Sequence, residues 1–397
     1  MKRFFPAVLL LLVAACASSG PNQNATQVAA IKIGNYSADM GASPVGVIPV
    51  ATLHDAVRNK DLQLSVDYPT RGGPFPVIIF SHGYGLSDRA YEPLISYWTS
   101  NGYVCIRPSH ADAGQIKETP LNTTPTPRQE RRGRNERRPQ QPQATVTPIV
   151  RNNPAEQIWD KDRAPQLQER VADIELIINS LGDLEKQFPE LADKMDHSKI
   201  GVAGHGFGAF TALLAGGMQT FGNPPVSVAD ARVKAIVAFS PPGIAENRGT
   251  TAQSWANVHA PTLFVTGTND RGGSESETAD WRKQAFENSP AGEKYFVLID
   301  GASYTSFIGQ IGMYALEPTT TPIVSTDPYG RPVAVAQQTQ QRQGAVVFAN
   351  QRQIFADVKI ASLAFWDAYL KSDANARDLL QPSKFDESFT SAHMSAK

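Results

Sequence analysis

The residues best placed to do chemistry lie in Lys199–Gly217, KIGVAGHGFGAFTALLAGG. Ile200, Val202 and Ala203 predict a buried strand, and the small-residue run Ala209–Ala215 predicts a helix. Between them, Gly204-His205-Gly206-Phe207-Gly208 requires a tight turn. Such a strand–turn–helix strains its central residue and projects that side chain outward, which is how a serine is presented for attack on an acyl carbon. The central residue here is Gly206, which offers no nucleophile. Ser81, Ser109 and Ser303 stand at predicted strand ends, none with a histidine at an evident spacing, so their hydroxyls are weak nucleophiles. His110 and Asp112, in Ser109-His110-Ala111-Asp112, read as a pair that braces a loop, the alternative being an improvised catalytic dyad.

The elements that must carry these residues alternate between strand and helix. Leu62, Leu64 and Val66 alternate with polar residues, as in a half-buried strand. Val77–Phe80, Tyr103–Ile106, Val233–Phe239, Pro261–Thr266 and Tyr295–Ile299 are short apolar runs of the kind buried inside parallel sheets. Asp88 can cap a helix reaching about Ser100. A second helix, over about Gln166–Leu181, lines up Leu167, Val171, Ile174, Ile177 and Ile178, and Ala356–Leu370 closes the chain. This order predicts an α/β domain over residues 31–385, with a mainly parallel sheet covered by helices on both faces. Residues 115–156, with Arg128, Arg131, Arg132, Arg134, Arg137 and Arg138 among Pro, Gln and Thr, read as a disordered, solvated insertion. Residues 318–345 read as a second insertion, and 386–397 as a polar tail that keeps His393 away from the site.

With 41% hydrophobic residues and a formal net charge of −1, the composition suits a globular protein and makes no case for a nucleic-acid partner. Residues 1–15 are read as a signal peptide, with basic Lys2 and Arg3, the apolar core Ala7–Val13, then small residues. Val13-Ala14-Ala15-Cys16 resembles a bacterial lipobox, which implies a lipid on Cys16 and an envelope location, with Ala17 favouring the outer membrane. Residues 16–30 are then a flexible tether. The other cysteine, Cys105, falls in a predicted strand and is expected to be a buried, inert thiol, so no disulfide is expected.

The runs PFPVIIFSHGYG, GYVCIRPSHADA, KIGVAGHGFGAFTALLAGG, VKAIVAFSPP, APTLFVTGTND and KYFVLIDGASYTSF, in this order, resemble the α/β-hydrolase superfamily. More specifically, they resemble its dienelactone hydrolase and platelet-activating factor acetylhydrolase-like branch. The resemblance implies an α/β-hydrolase fold and hydrolysis of carboxylic esters, lactones or related acyl groups, with neither cofactor nor metal. It places the oxyanion donors at the backbone N–H groups of Phe207 and Tyr84, the latter in a loop shaped by His82 and Gly83. Gly204 and Gly208 support the elbow, and Asp270 stands at the family's acid position. The family's histidine position is filled by Tyr304, whose phenol, with an ordinary pKa of about 10, is a poor base near neutral pH. His205 is expected to point away from the site. A site lacking nucleophile and base implies a pseudoenzyme that binds a small acyl or ester-like ligand or an envelope protein, the alternative being a weak or atypical serine esterase acting on carboxylic or acetyl esters. Restoring Gly206→Ser and Tyr304→His together, but neither alone, is expected to recover ester turnover.

Overall fold

Short apolar segments without polar interruptions bury both faces of a strand, and this chain spends most of them on one sheet. In the computed structural model the nine-stranded sheet consists of β1 (Val45–Asp55), β2 (Lys60–Pro69), β3 (Phe75–Ser81), β4 (Val104–Ser109), β5 (Met195–His205), β6 (Val233–Phe239), β7 (Thr262–Gly267), β8 (Lys294–Ile299) and β9 (Ala392–Ala396). Their spatial order is β9-β8-β7-β6-β5-β3-β4-β2-β1. The strands from β3 to β8 run parallel, whereas β1, β2 and β9 are antiparallel to their neighbours. The α/β-hydrolase fold predicted above is therefore present. The structure describes residues 29–114, 163–222, 224–272, 276–309, 324–326, 332–334 and 337–397. All these elements belong to the compact unit Ile31–Lys397.

Helices cover both faces of the sheet. On one, α1 (Glu92–Ser100) and the end of the long α6 (Gln337–Leu370) pack Leu94, Trp98, Phe365 and Trp366 against Ile78, Phe80 and Phe239. On the other, α2 (Arg163–Asn179), α3 (Leu181–Gln187) and α4 (Phe207–Ala215) bury Val171, Ile174, Leu184, Phe210 and Leu213 against Val77, Ile79 and Val202. The same face takes Ala285 and Phe286 from α5 (Ala279–Glu287). After β4 the chain returns to the other side of β3 to make β5, so the strand order reverses between β3 and β5. Crevices open at such switch points, outside the carboxyl ends of the strands. Register brings Ser81 beside Gly204 and Phe239 beside His205, so the loops after β3, β5, β6, β7 and β8 share one edge.

Several boundaries differ from the sequence-based expectations. The helix after β3 is preceded by a 3-10 turn, Asp88–Tyr91. There the Asp88 carboxylate accepts a bond from the Ser65 hydroxyl (3.0 Å) and caps nothing. The second insertion is not wholly irregular, because Val324–Thr326 pairs with Pro332–Ala334 and α6 already begins at Gln337. The end of the chain is no loose tail. Pro382–Ser388 is helical and β9 pairs antiparallel with β8, Met394 opposite Val297. The physical reason is an otherwise open edge, whose unpaired backbone groups the last residues satisfy. The signal peptide, Cys16, most of the tether and the insertion 115–156 lie outside the described residues.

Candidate functional site

The elbow has the backbone its sequence requires. Gly206 sits at φ 56, ψ −111, a conformation that L side chains rarely adopt, immediately before α4. Its flanking glycines serve close approach. A Cβ on Gly204 would lie 2.1 Å from the Gly208 carbonyl oxygen, and one on Gly208 would lie 1.9 Å from that of Ser81. Strand and helix can meet at this angle only without side chains there.

Tyr304 fills the space in front of Gly206. It opens a short turn, Tyr304–Ile308, after β8. A Cβ built on Gly206 would stand 2.1 Å from the Tyr304 hydroxyl oxygen, and one on Gly83 would be 3.4 Å from it. The phenol therefore lies between the elbow and the β3 loop, where a serine side chain would otherwise project. His205 does not point clear of this region. Its ring packs on Tyr304 with centroids 4.1 Å apart, and its Nδ1 is 2.8 Å from the Tyr91 hydroxyl, which accepts the Gly83 N–H. Burial, reinforced by the charge of Arg282, pushes the His205 imidazole down to about 3, so it is neutral.

Asp270 is fully buried and well held. Its Oδ2 accepts the hydroxyls of Ser240 (2.7 Å) and Thr266 (2.8 Å). Its Oδ1 lies 3.0 Å from Arg282 Nε, an ion pair out of line for a hydrogen bond. Arg282, itself buried on α5, donates through Nη1 to the carbonyls of Ser240 (2.9 Å) and Pro241 (3.3 Å). Its guanidinium also lies 5.7 Å from the Tyr304 ring centroid. The sequence reading missed Arg282. Its signal is the helical spacing that puts it on the same face as buried Ala285 and Phe286.

The loop carrying His82, Gly83 and Tyr84 is tied down by a buried polar network. His82 donates through Nδ1 to the Gly83 carbonyl (2.7 Å) and accepts the His110 N–H at Nε2 (3.2 Å). Arg170 of α2 donates to the His82 carbonyl (2.7 Å) and pairs with Asp112 at 2.7 and 3.0 Å, while Asp112 accepts the Gly85 N–H (2.9 Å). Burial alone would raise the Asp112 carboxyl, but Arg170 outweighs it and holds the group well below its ordinary range. Above Arg170 lies the ring of Phe207 (4.7 Å), edge-on to Tyr84. This corrects the His110–Asp112 pairing. Asp112 belongs to Arg170, and His110 reaches Asp173 on α2 through Nδ1 (2.9 Å). At its other nitrogen, Nε2, His110 meets the Ser81 hydroxyl (2.9 Å), so Ser81 does have a histidine behind it.

Ser81–His110–Asp173 thus has the connectivity of a hydrolytic relay, but it is closed. Ser81 exposes nothing, its oxygen also takes Arg170 Nη1 (3.2 Å), and Asp173 is already paired with Arg58 and Lys60. Burial and the Arg170 charge push His110 down to about 4. The sequence hint for this network is charge on an apolar face. Arg170 and Asp173 lie among Leu167, Val171 and Ile174, where an unpaired charge could not be buried. Cys105 is buried and free, its thiol pushed up to about 12 by burial, hence inert. Among the described residues, no cluster of His, Cys, Asp and Glu could hold a metal ion.

Comparison with known proteins agrees with the architecture. Residues 70 long are 27% identical to Chlorophyllase-1 of Arabidopsis thaliana, 18% of this chain and 22% of that protein. The chain therefore spans only about a fifth of that relative's length. The sequence model described as "Platelet-activating factor acetylhydrolase, isoform II" matches residues 52–265. That segment runs from β1 to β7 and includes the β3 loop, the α2 network and the elbow, while Asp270, Arg282 and Tyr304 lie beyond it. Covering more than half of the sequence, and supported by the hydrolase sheet that carries it, this match makes the chain a member of the platelet-activating factor acetylhydrolase, isoform II, family.

Proposed function

We propose that this chain is a degenerate member of its family, unable to turn over esters through the elbow and retained for binding. The observation that carries this reading is the Tyr304 hydroxyl in the space a Gly206 side chain would need. A carbonyl has neither a nucleophile to meet nor room to approach one. The filled elbow favours an envelope protein as partner over a small acyl ligand. The lipobox-like Val13–Cys16 supports export and anchoring through Cys16 to the bacterial envelope, with the outer membrane as the destination. Family membership makes a carboxylic or acetyl ester the substrate class of the active ancestor.

A second reading, weak atypical serine esterase activity, has the Ser81–His110–Asp173 chain in its favour and its enclosure against it. A fluorophosphonate probe separates the two, since it labels activated serines. The degenerate reading expects no labelling and no turnover of p-nitrophenyl acetate. Labelling that maps to Ser81 and is lost in Ser81→Ala would establish the second reading instead.

A further inference from the structure

Asp270 has lost its histidine but not a cation. A carboxylate with no exposed surface costs several kcal/mol unless it is paired, and here Arg282 Nε stands 3.0 Å from its Oδ1. We infer that the missing histidine has been replaced by two residues, with Arg282 taking its electrostatic task toward Asp270 and Tyr304 taking its volume. The inference rests on the degenerate-site reading and adds a third residue that keeps the site silent.

In a working triad the carboxylate orients the imidazole and stabilises the imidazolium that forms as it takes a proton. With Arg282 in place, that negative charge is already answered. A histidine introduced at 304 would also lie in the field of the same guanidinium, 5.7 Å from the present ring. The same charge adds to burial in keeping neighbouring His205 neutral. Gly206→Ser with Tyr304→His would therefore assemble the correct residue types around a base that cannot hold a proton. Recovery requires the cation to be removed as well, for which Arg282→Met keeps the aliphatic stem and deletes the charge.

Two measurements test this. The first is a thermal-unfolding cycle. Arg282→Met is expected to lower the midpoint by about 5–10 °C, the order for stripping one partner from a buried pair, and by less than half as much in an Asp270→Asn background, where no charge is stranded. Equal losses in the two backgrounds would overturn the inference and leave the degenerate reading standing. The second is p-nitrophenyl acetate hydrolysis, in which Gly206→Ser/Tyr304→His/Arg282→Met should exceed the two-residue variant about tenfold or more. A folded three-residue variant no faster than the two-residue one also overturns it. Fluorophosphonate labelling of the unaltered protein would instead defeat the degenerate reading without touching the unfolding cycle.

Discussion

At Gly206 two obstacles meet. The backbone is at φ 56, where any side chain is strained, and the volume beyond it is taken by the Tyr304 hydroxyl. Gly206→Ser alone is expected to lower stability by about 2–4 kcal/mol, strain plus overpacking, and to gain no ester turnover. In a Tyr304→Ala background the clash is gone, so the serine should cost less there than in the parent. Urea unfolding of the four members of that cycle checks the coupling, and strictly additive losses would mean that the two side chains do not compete for one space. A glycine at 206 and a bulky ring at 304 offset each other in volume, and the 2.1 Å approach is the geometric form of that trade.

At the scale of elements, the last helix and the last strand are joined by a buried acid. Asp357 of α6 exposes nothing. It accepts bonds from Gln353 (2.9 Å) on the same helix and Ser391 (2.5 Å) at the approach to β9. Ser391 also accepts the Asp300 N–H (2.8 Å) at the end of β8. Burial, only partly offset by those two bonds, raises the Asp357 carboxyl from 3.8 to about 6. A raised folded-state value means that the acid's contribution is fully present below its unfolded value near 3.8 and is lost as pH rises to about 6. Asp357→Asn should therefore stabilise the protein at pH 7–8 by about 1–3 kcal/mol and have little effect below pH 4. Unfolding midpoints across that range read the difference directly. A variant less stable than the parent at pH 8 would mean that the carboxylate is satisfied as an anion.

For the whole molecule, buried neutral histidines dominate on the acid side. His82, His110 and His205 are all depressed by burial first and by a nearby arginine second, His110 to about 4 and His205 to about 3. Their stabilising contribution is complete above the ordinary value of 6.5 and is withdrawn as pH falls through the interval down to the folded values. This opposes the single slope from Asp357. Net stability should thus fall between about pH 6 and 4, and His110→Asn should flatten the fall. The other whole-molecule prediction concerns location. Cys16→Ser should shift the protein from the membrane pellet to the soluble or unprocessed fraction. Unchanged pelleting would remove the lipid anchor from the proposal.

What the sequence determined by itself was the frame. Short apolar runs at βα spacing, and glycines at 204, 206 and 208, leave few other ways to bury that surface or make that turn, so sheet and elbow follow from local pattern. The absence of a serine at 206 and of a histidine at 304 is likewise a statement about residue type. Which charges meet follows from the folded chain alone. Arg282 reaches Asp270 across a loop, Asp173 reaches His110 over 63 positions, and the chain's last residues close an edge formed far earlier in the sequence. Buried ionic partners are set by the low dielectric of the interior, which penalises any unpaired charge but imposes no sequence spacing on the residue that answers it.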